Sequence, residues 1–286
     1  MKWQGGRRSS NVEDRRGRKV AGKGIKLGGW GLVAVLGIGW MMGVNPLQML
    51  NMLGEIETAS VPTTQSSQPV PQNDKQAQFV SVVLADTEDV WNKVFTKGGR
   101  RYKEPGLVLF TDAVSSACGM QTSATGPFYC PGDKKVYIDL AFYRQLAKMG
   151  GPGDFARAYV IGHEVGHHVQ NLLGTSSQVS KSQRRASKAE ANALSVRLEL
   201  QADCYAGVWA HHAESDRDLL EEGDVEEGLA AAAAIGDDKM LKQAGRAVRP
   251  ESFTHGSSRQ RVTWLKKGLR SGRLEECNTF DQGASE

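Results

Sequence analysis

The stretch AYVIGHEVGHHVQNLLG, residues 158–174, decides how the rest of the chain is read. Ala158, Ile161, Val165, Val169 and Leu172 recur at helical spacing and form one apolar arc. His163 and His167 fall together on a different arc, because residues four apart on a helix share a face. Two imidazoles on one face can reach a single metal ion. Glu164 sits beside them, off that axis, where its carboxylate can reach a water on the metal without ligating the metal itself. This is the H-E-x-x-H arrangement of zinc peptidases, with the glutamate as general base. Asp154 is suited to start the helix and Gly174 to end it. Gly162 and Gly166 lie inside it, each costing about 1 kcal/mol against alanine, so something is expected to pack closely there. His168 falls at the edge of the apolar arc and reads as structural.

Two histidines do not complete a site, since a catalytic zinc has three protein ligands and a water. The extended pattern with a glycine and a third histidine is excluded, because Gln170 and Leu173 occupy those positions. Candidates come from SVRLELQADCYAGVWAHHAES, residues 195–215. Glu199 and Asp203 are four apart on one expected helix, amid apolar residues where an unpartnered carboxylate is costly. One division makes Glu199 the third ligand and Asp203 an acceptor for a histidine N–H, setting its tautomer. His211 and His212 are the alternative, their other reading being an exposed helix end.

The rest of the chain sets the context. It has 286 residues and a net charge of only +4, so the chain as a whole does not read as a nucleic-acid binder. Its early basic charge is concentrated in Arg7, Arg8, Arg15, Arg16, Arg18, Lys19, Lys23 and Lys26. No charged residue occurs from Leu27 to Gly54. Leu27–Val44 approaches the length of about 20 apolar residues that a membrane span needs, with Trp30 and Trp40 near its ends. The expected organisation is a basic, disordered segment 1–26, a transmembrane helix 27–50, a Ser/Thr/Gln/Pro-rich linker 51–75 and a globular domain 76–286. Basic residues before the span predict a cytoplasmic N-terminus and an exported domain. All four cysteines follow the span, which suits two disulfides in an oxidising compartment. Sequence proximity favours Cys118–Cys130, which leaves Cys204–Cys277.

QFVSVVLADTEDVWNKVF, residues 78–95, reads as an opening helix, and GLVLFTD, residues 106–112, as a strand. GPFYCPGDKKVYIDL, residues 126–140, reads as a hairpin whose second strand, KVYIDL, is placed at a sheet edge able to pair with an extended peptide. Helices are expected over 140–148, 154–173, 178–212 and 257–270, with short ones between. A few strands followed mainly by helices make an α+β domain.

With these motifs in view, the chain resembles the bacterial putative neutral zinc metallopeptidases, a membrane-anchored family. The likeness runs from MKWQGGRRSSNVEDRRG through the apolar span, GPFYCPGDKKVYIDL, IGHEVGHHVQ and ELQADCYAGVWA to ESFTHGSSRQRVTWLKKG. It implies a zincin-like domain with His163, His167 and Glu199 on Zn2+ and Glu164 as base to an activated water. His255, with Arg261 behind it, is the candidate for stabilising the oxyanion. The function expected is a membrane-anchored, zinc-dependent peptidase acting on peptide bonds of exported proteins. The rival is a catalytically silent zincin-fold binding module at the membrane surface. An intact Glu164 favours the enzyme, since a purely structural site has no need of it.

Overall fold

In the computed structural model residues 1–17, 71 and 73–281 are described, and Met1–Gly17 clusters in one unit with the chain from Gln68 onward. A four-stranded sheet runs in the order β1-β2-β6-β5. β1 (Val12–Asp14), β2 (Gly106–Phe110) and β6 (Lys135–Asp139) are parallel, and β5 (Phe128–Cys130) pairs antiparallel to β6. β2 reads GLVLF because both of its faces are covered, and Leu107, Val108, Leu109 and Phe110 are all buried. A separate hairpin, β3 (Ala113–Ser116) with β4 (Gly119–Thr122), is tied to β5 by the Cys118–Cys130 disulfide.

Eight α-helices are present among the described residues: α1 (Lys75–Lys97), α2 (Ala141–Lys148), α3 (Asp154–Leu173), α4 (Thr175–Gln183), α5 (Lys188–Arg217), α6 (Asp224–Ala234), α7 (Asp237–Gln243) and α8 (Ser258–Ser271). The α+β reading therefore stands. α3 lies at the centre, packed against α5, α6, α1 and α4. α5 is packed most closely by α8, and the Cys204–Cys277 disulfide staples it to the C-terminal turn. At position 166 a Cβ would lie 2.9 Å from the Ala202 carbonyl oxygen, and at position 268 one would lie 2.0 Å from that of Cys204. Glycine there is what allows three helix backbones to approach so nearly.

The sheet is joined to α3 through His168. Its Nδ1 is 2.9 Å from the Tyr129 hydroxyl on β5, and its Nε2 faces the Lys103 carbonyl. Asn171 donates to the same hydroxyl at 3.0 Å.

Several expectations are corrected. Residues 1–17 are not disordered. Trp3 packs edge-on to Phe79, Val12 is buried, and β1 extends the sheet. Composition misled because the arginines there find carboxylates on the folded domain. The strand KVYIDL is internal, between β2 and β5, so among the described residues the edge on that side of the sheet is β5. The helix expected over 178–212 is two helices, because Ser187 and Glu190 form a capping box that starts α5 afresh. Asp154 is the first helical residue and not the cap, a position filled by Gly153. The expected transmembrane segment 27–50 lies outside the described residues, as does most of the linker. No helix among the described residues is long and apolar enough to cross a membrane.

Two outcomes follow from this packing. Overpacking a tight core costs about 1–3 kcal/mol, more than the gain of about 1 kcal/mol from alanine in a helix. Gly268→Ala should therefore lower the melting temperature, and an unchanged value in a calorimetric scan would refute the close-approach argument. Burial holds His168 down to about 4 against an ordinary 6.5. The unfolded chain thus takes up a proton that the folded one refuses. Stability should be full above pH 6.5 and decline as pH falls toward about 4. Urea unfolding of metal-free protein across that range should show His168→Gln with a flatter acid limb by about one proton.

Candidate metal centre

α3 and α5 cross where Gly166 meets Ala202, and this crossing sets the site. On α3, His163 and His167 present their rings with centroids 4.8 Å apart. From α5, Glu199 reaches across. Its Oε2 lies 3.1 Å from His163 Nε2 and its Oε1 3.3 Å from His167 Nε2. One ligand atom from each of the three lies within 4.8 Å of the others. A tetrahedral zinc with bonds of about 2.0–2.1 Å has ligand–ligand edges of about 3.3 Å. The donor set and its spacing fit such an ion.

The other ring nitrogens are already engaged. His163 Nδ1 is 2.8 Å from Asp203 Oδ1, and His167 Nδ1 is 2.9 Å from Gln170 Oε1. An acceptor at each Nδ1 assigns the proton there and leaves the Nε2 lone pairs for a metal. Asp203 is fully buried and serves three elements at once. It also accepts from the Tyr159 hydroxyl on α3 and, at 2.9 Å to each oxygen, from Arg261 Nε and Nη2 on α8. Burial would raise its pKa, but the charges of Arg261 and His163 prevail and hold it at about 2. Gln170 is itself held, donating to the Leu198 carbonyl at 2.7 Å and to Gln201 at 3.1 Å.

Burial also works against a charge on His163, yet Asp203 and Glu199 outweigh it and raise its pKa to about 10. The field that favours a proton there equally favours a metal cation, so the two compete. Glu199 is driven well below the usual carboxylate range, with burial opposed chiefly by the His167 charge. Glu164 goes the other way. Burial raises it, partly offset by His163 and His167. Two neighbouring carboxylates are thus pushed in opposite directions.

Glu164 lines a cavity of about 510 Å³ together with His163, His167 and Glu199. Its walls are largely apolar, with Phe128, Phe142, Met149, Val160, Ile235 and Met240 among them. His255 lies on the same cavity, about half exposed, with Nδ1 3.1 Å from Asp237 Oδ1. Asp237 also accepts from the backbone N–H groups of Thr254 and His255, each at 2.7 Å, and so fixes the loop.

The expected residues His163, Glu164, His167, Glu199, Asp203 and His255 are brought together. Arg261 lines the same cavity as His255 and grips Asp203. His211 and His212 stand apart, bonded to the Leu269 and Gly272 carbonyls at the end of α8. Sequence reasoning missed Tyr159, Gln170 as an orienting residue, and Asp237. Tyr159 and Gln170 carry a signal after the fact, lying four residues before His163 and three after His167. Asp237 carries none, since an aspartate beside Asp238 and Lys239 looks like an ordinary solvated surface residue.

A family model described as "Putative neutral zinc metallopeptidase" matches residues 1–280. The chain belongs to this family. Zinc and a peptide or protein substrate are what membership implies. "Uncharacterized protein YpfJ" of Escherichia coli (strain K12) is 47% identical over 290 residues, spanning 98% of this chain and 99% of that one. An uncharacterized protein of Mycobacterium tuberculosis (strain ATCC 25618 / H37Rv) is 43% identical over 192 residues, 63% of each chain. No solved structure matches.

Asp203→Asn keeps the shape but removes the charge that orients His163 and balances Arg261. Zinc affinity should fall about 10–100-fold. The melting temperature should fall as well, because a buried guanidinium is left without its counter-charge. Competition titration with a chelator and thermal unfolding measure the two effects, and wild-type affinity would refute the orienting role.

Proposed function

We propose that this chain is a zinc-dependent peptidase in which His163, His167 and Glu199 hold the metal and Glu164 is the general base. The observation that supports it most is the convergence of both Nε2 atoms on Glu199, with the other nitrogen of each ring already engaged. A zinc ion bound there supplies Lewis acidity toward the scissile carbonyl. Glu164, with its pKa raised by burial, takes the proton of the attacking water and passes it to the leaving amine nitrogen. His255, held through Nδ1 by Asp237 and lining the cavity, serves as a donor to the developing oxyanion. An extended substrate adds to the edge of β5 beside the cavity, its side chains meeting apolar walls. An exported domain completes the reading. Two disulfides favour an oxidising compartment.

The binding-module alternative is disfavoured by Glu164 itself. A buried carboxylate beside the triad costs stability and brings a non-catalytic metal site nothing.

Glu164→Gln separates the two. The full-length variant should hold zinc at nearly one ion per chain and stay folded while losing hydrolysis almost entirely. His163→Ala, His167→Ala and Glu199→Ala should lose zinc and activity together. Elemental analysis and cleavage of a broad peptide library are the measurements. Cleavage by Glu164→Gln at the wild-type rate would overturn the mechanism, and zinc binding without any cleavage by the wild type would favour the module.

A further inference from the structure

The N-terminal residues and the metal domain are built into one another, and this constrains how the chain can meet a membrane. β1 is hydrogen-bonded along the edge of β2. The Leu107 amide donates to the Asn11 carbonyl and the Arg15 amide to that of Leu109, each at 2.8 Å. Upstream, the segment crosses α1. Ser9 and Ser81 exchange two bonds of 3.0 Å, one from the Ser9 amide to the Ser81 carbonyl and one from the Ser81 hydroxyl to the Ser9 carbonyl.

The decisive residue is Glu88 on α1. It is only 1% exposed, and its side-chain partners are Ser9, Asn11 and Arg7, the last two at 2.8 and 2.9 Å. A buried carboxylate needs such partners, and here they come from residues 7–11. The arginines among residues 1–17 are committed in the same way. Arg7 pairs with Glu88 and Asp89, Arg16 with Asp14 and Asp74, and Arg15 with Glu13, while Arg8 donates to Gln78. Read in sequence, these arginines looked like the positive charges that hold an N-terminus in the cytoplasm. In the structure they dock a strand.

Strands hydrogen-bonded in one sheet cannot lie on opposite sides of a bilayer. We infer that residues 1–17 and the metal domain share one compartment. An N-cytoplasmic, C-exported single span is incompatible with a docked β1. The inference is independent of the peptidase reading, since it depends on the sheet and on Glu88 and not on the triad.

Thiol labelling in the full-length protein tests it. All four native cysteines are in disulfides, so an introduced cysteine is the one free thiol. Ser10→Cys places it beside β1 and Lys93→Cys on α1, both at exposed positions. Each variant is treated with a membrane-impermeant maleimide in spheroplasts, before and after lysis, with detergent-solubilised protein as the labelling control. The expected result is concordance: both thiols react before lysis, or both only after it. Discordance, with Lys93→Cys labelled in intact spheroplasts and Ser10→Cys labelled only after lysis, would overturn the inference. It would leave the zinc and cleavage results of the Glu164→Gln comparison untouched.

Discussion

The structure turns on a carboxylate with no access to solvent. Asp203 sits between α3, α5 and α8, and burying it alone would be prohibitive. Arg261 makes it tolerable by covering both oxygens, and Tyr159 and His163 add further donors. The partners come from two other helices, Tyr159 and His163 from α3 and Arg261 from α8, so the charge is accommodated only when the three helices are in register. A buried ion pair of this kind is not a large net source of stability. It is a constraint on geometry, and the histidine ring it holds is one corner of the candidate metal triangle.

The tight crossings serve the same end. Glycines at 166 and 268 let α5 lie close against both neighbours, where Glu199 and Asp203 reach across from it. The Cys204–Cys277 bridge acts immediately beside Asp203. In a chain-entropy view, closing a loop of 73 residues is worth about 4 kcal/mol. Gln201 extends the link, donating to the Cys277 carbonyl at 3.0 Å while its own oxygen accepts from Gln170, the residue that orients His167. The C-terminal staple and the site thus share one hydrogen-bonded path.

The N-terminal segment shows the same economy in another part of the fold. Its composition is polar and glycine-rich, which argues against a packed structure. It is ordered nonetheless, because α1 carries a buried acid and β2 an open edge that only this segment completes among the described residues. Local composition cannot reveal this, since Glu88 lies 77 residues from Asn11 and 79 from Ser9, and β2 pairs Leu107 with Val12 far upstream.

What could be read from the sequence was whatever repeats within one element. The i, i+4 placement of His163 and His167, the neighbouring Glu164, the pairing of Glu199 with Asp203 on one helix face, the β5–β6 hairpin and the α+β class all depend on spacing along a single helix or turn. Even the capping box of Ser187 and Glu190 was there to be read. The tertiary structure alone decided which distant residues complete those faces: Arg261 beneath Asp203, Asp237 behind His255, β1 on β2, and β5 as the edge strand. The physical reason is that periodicity specifies which way a side chain points, whereas the partner it meets is chosen by the crossing of helices and the order of strands, which no local pattern encodes.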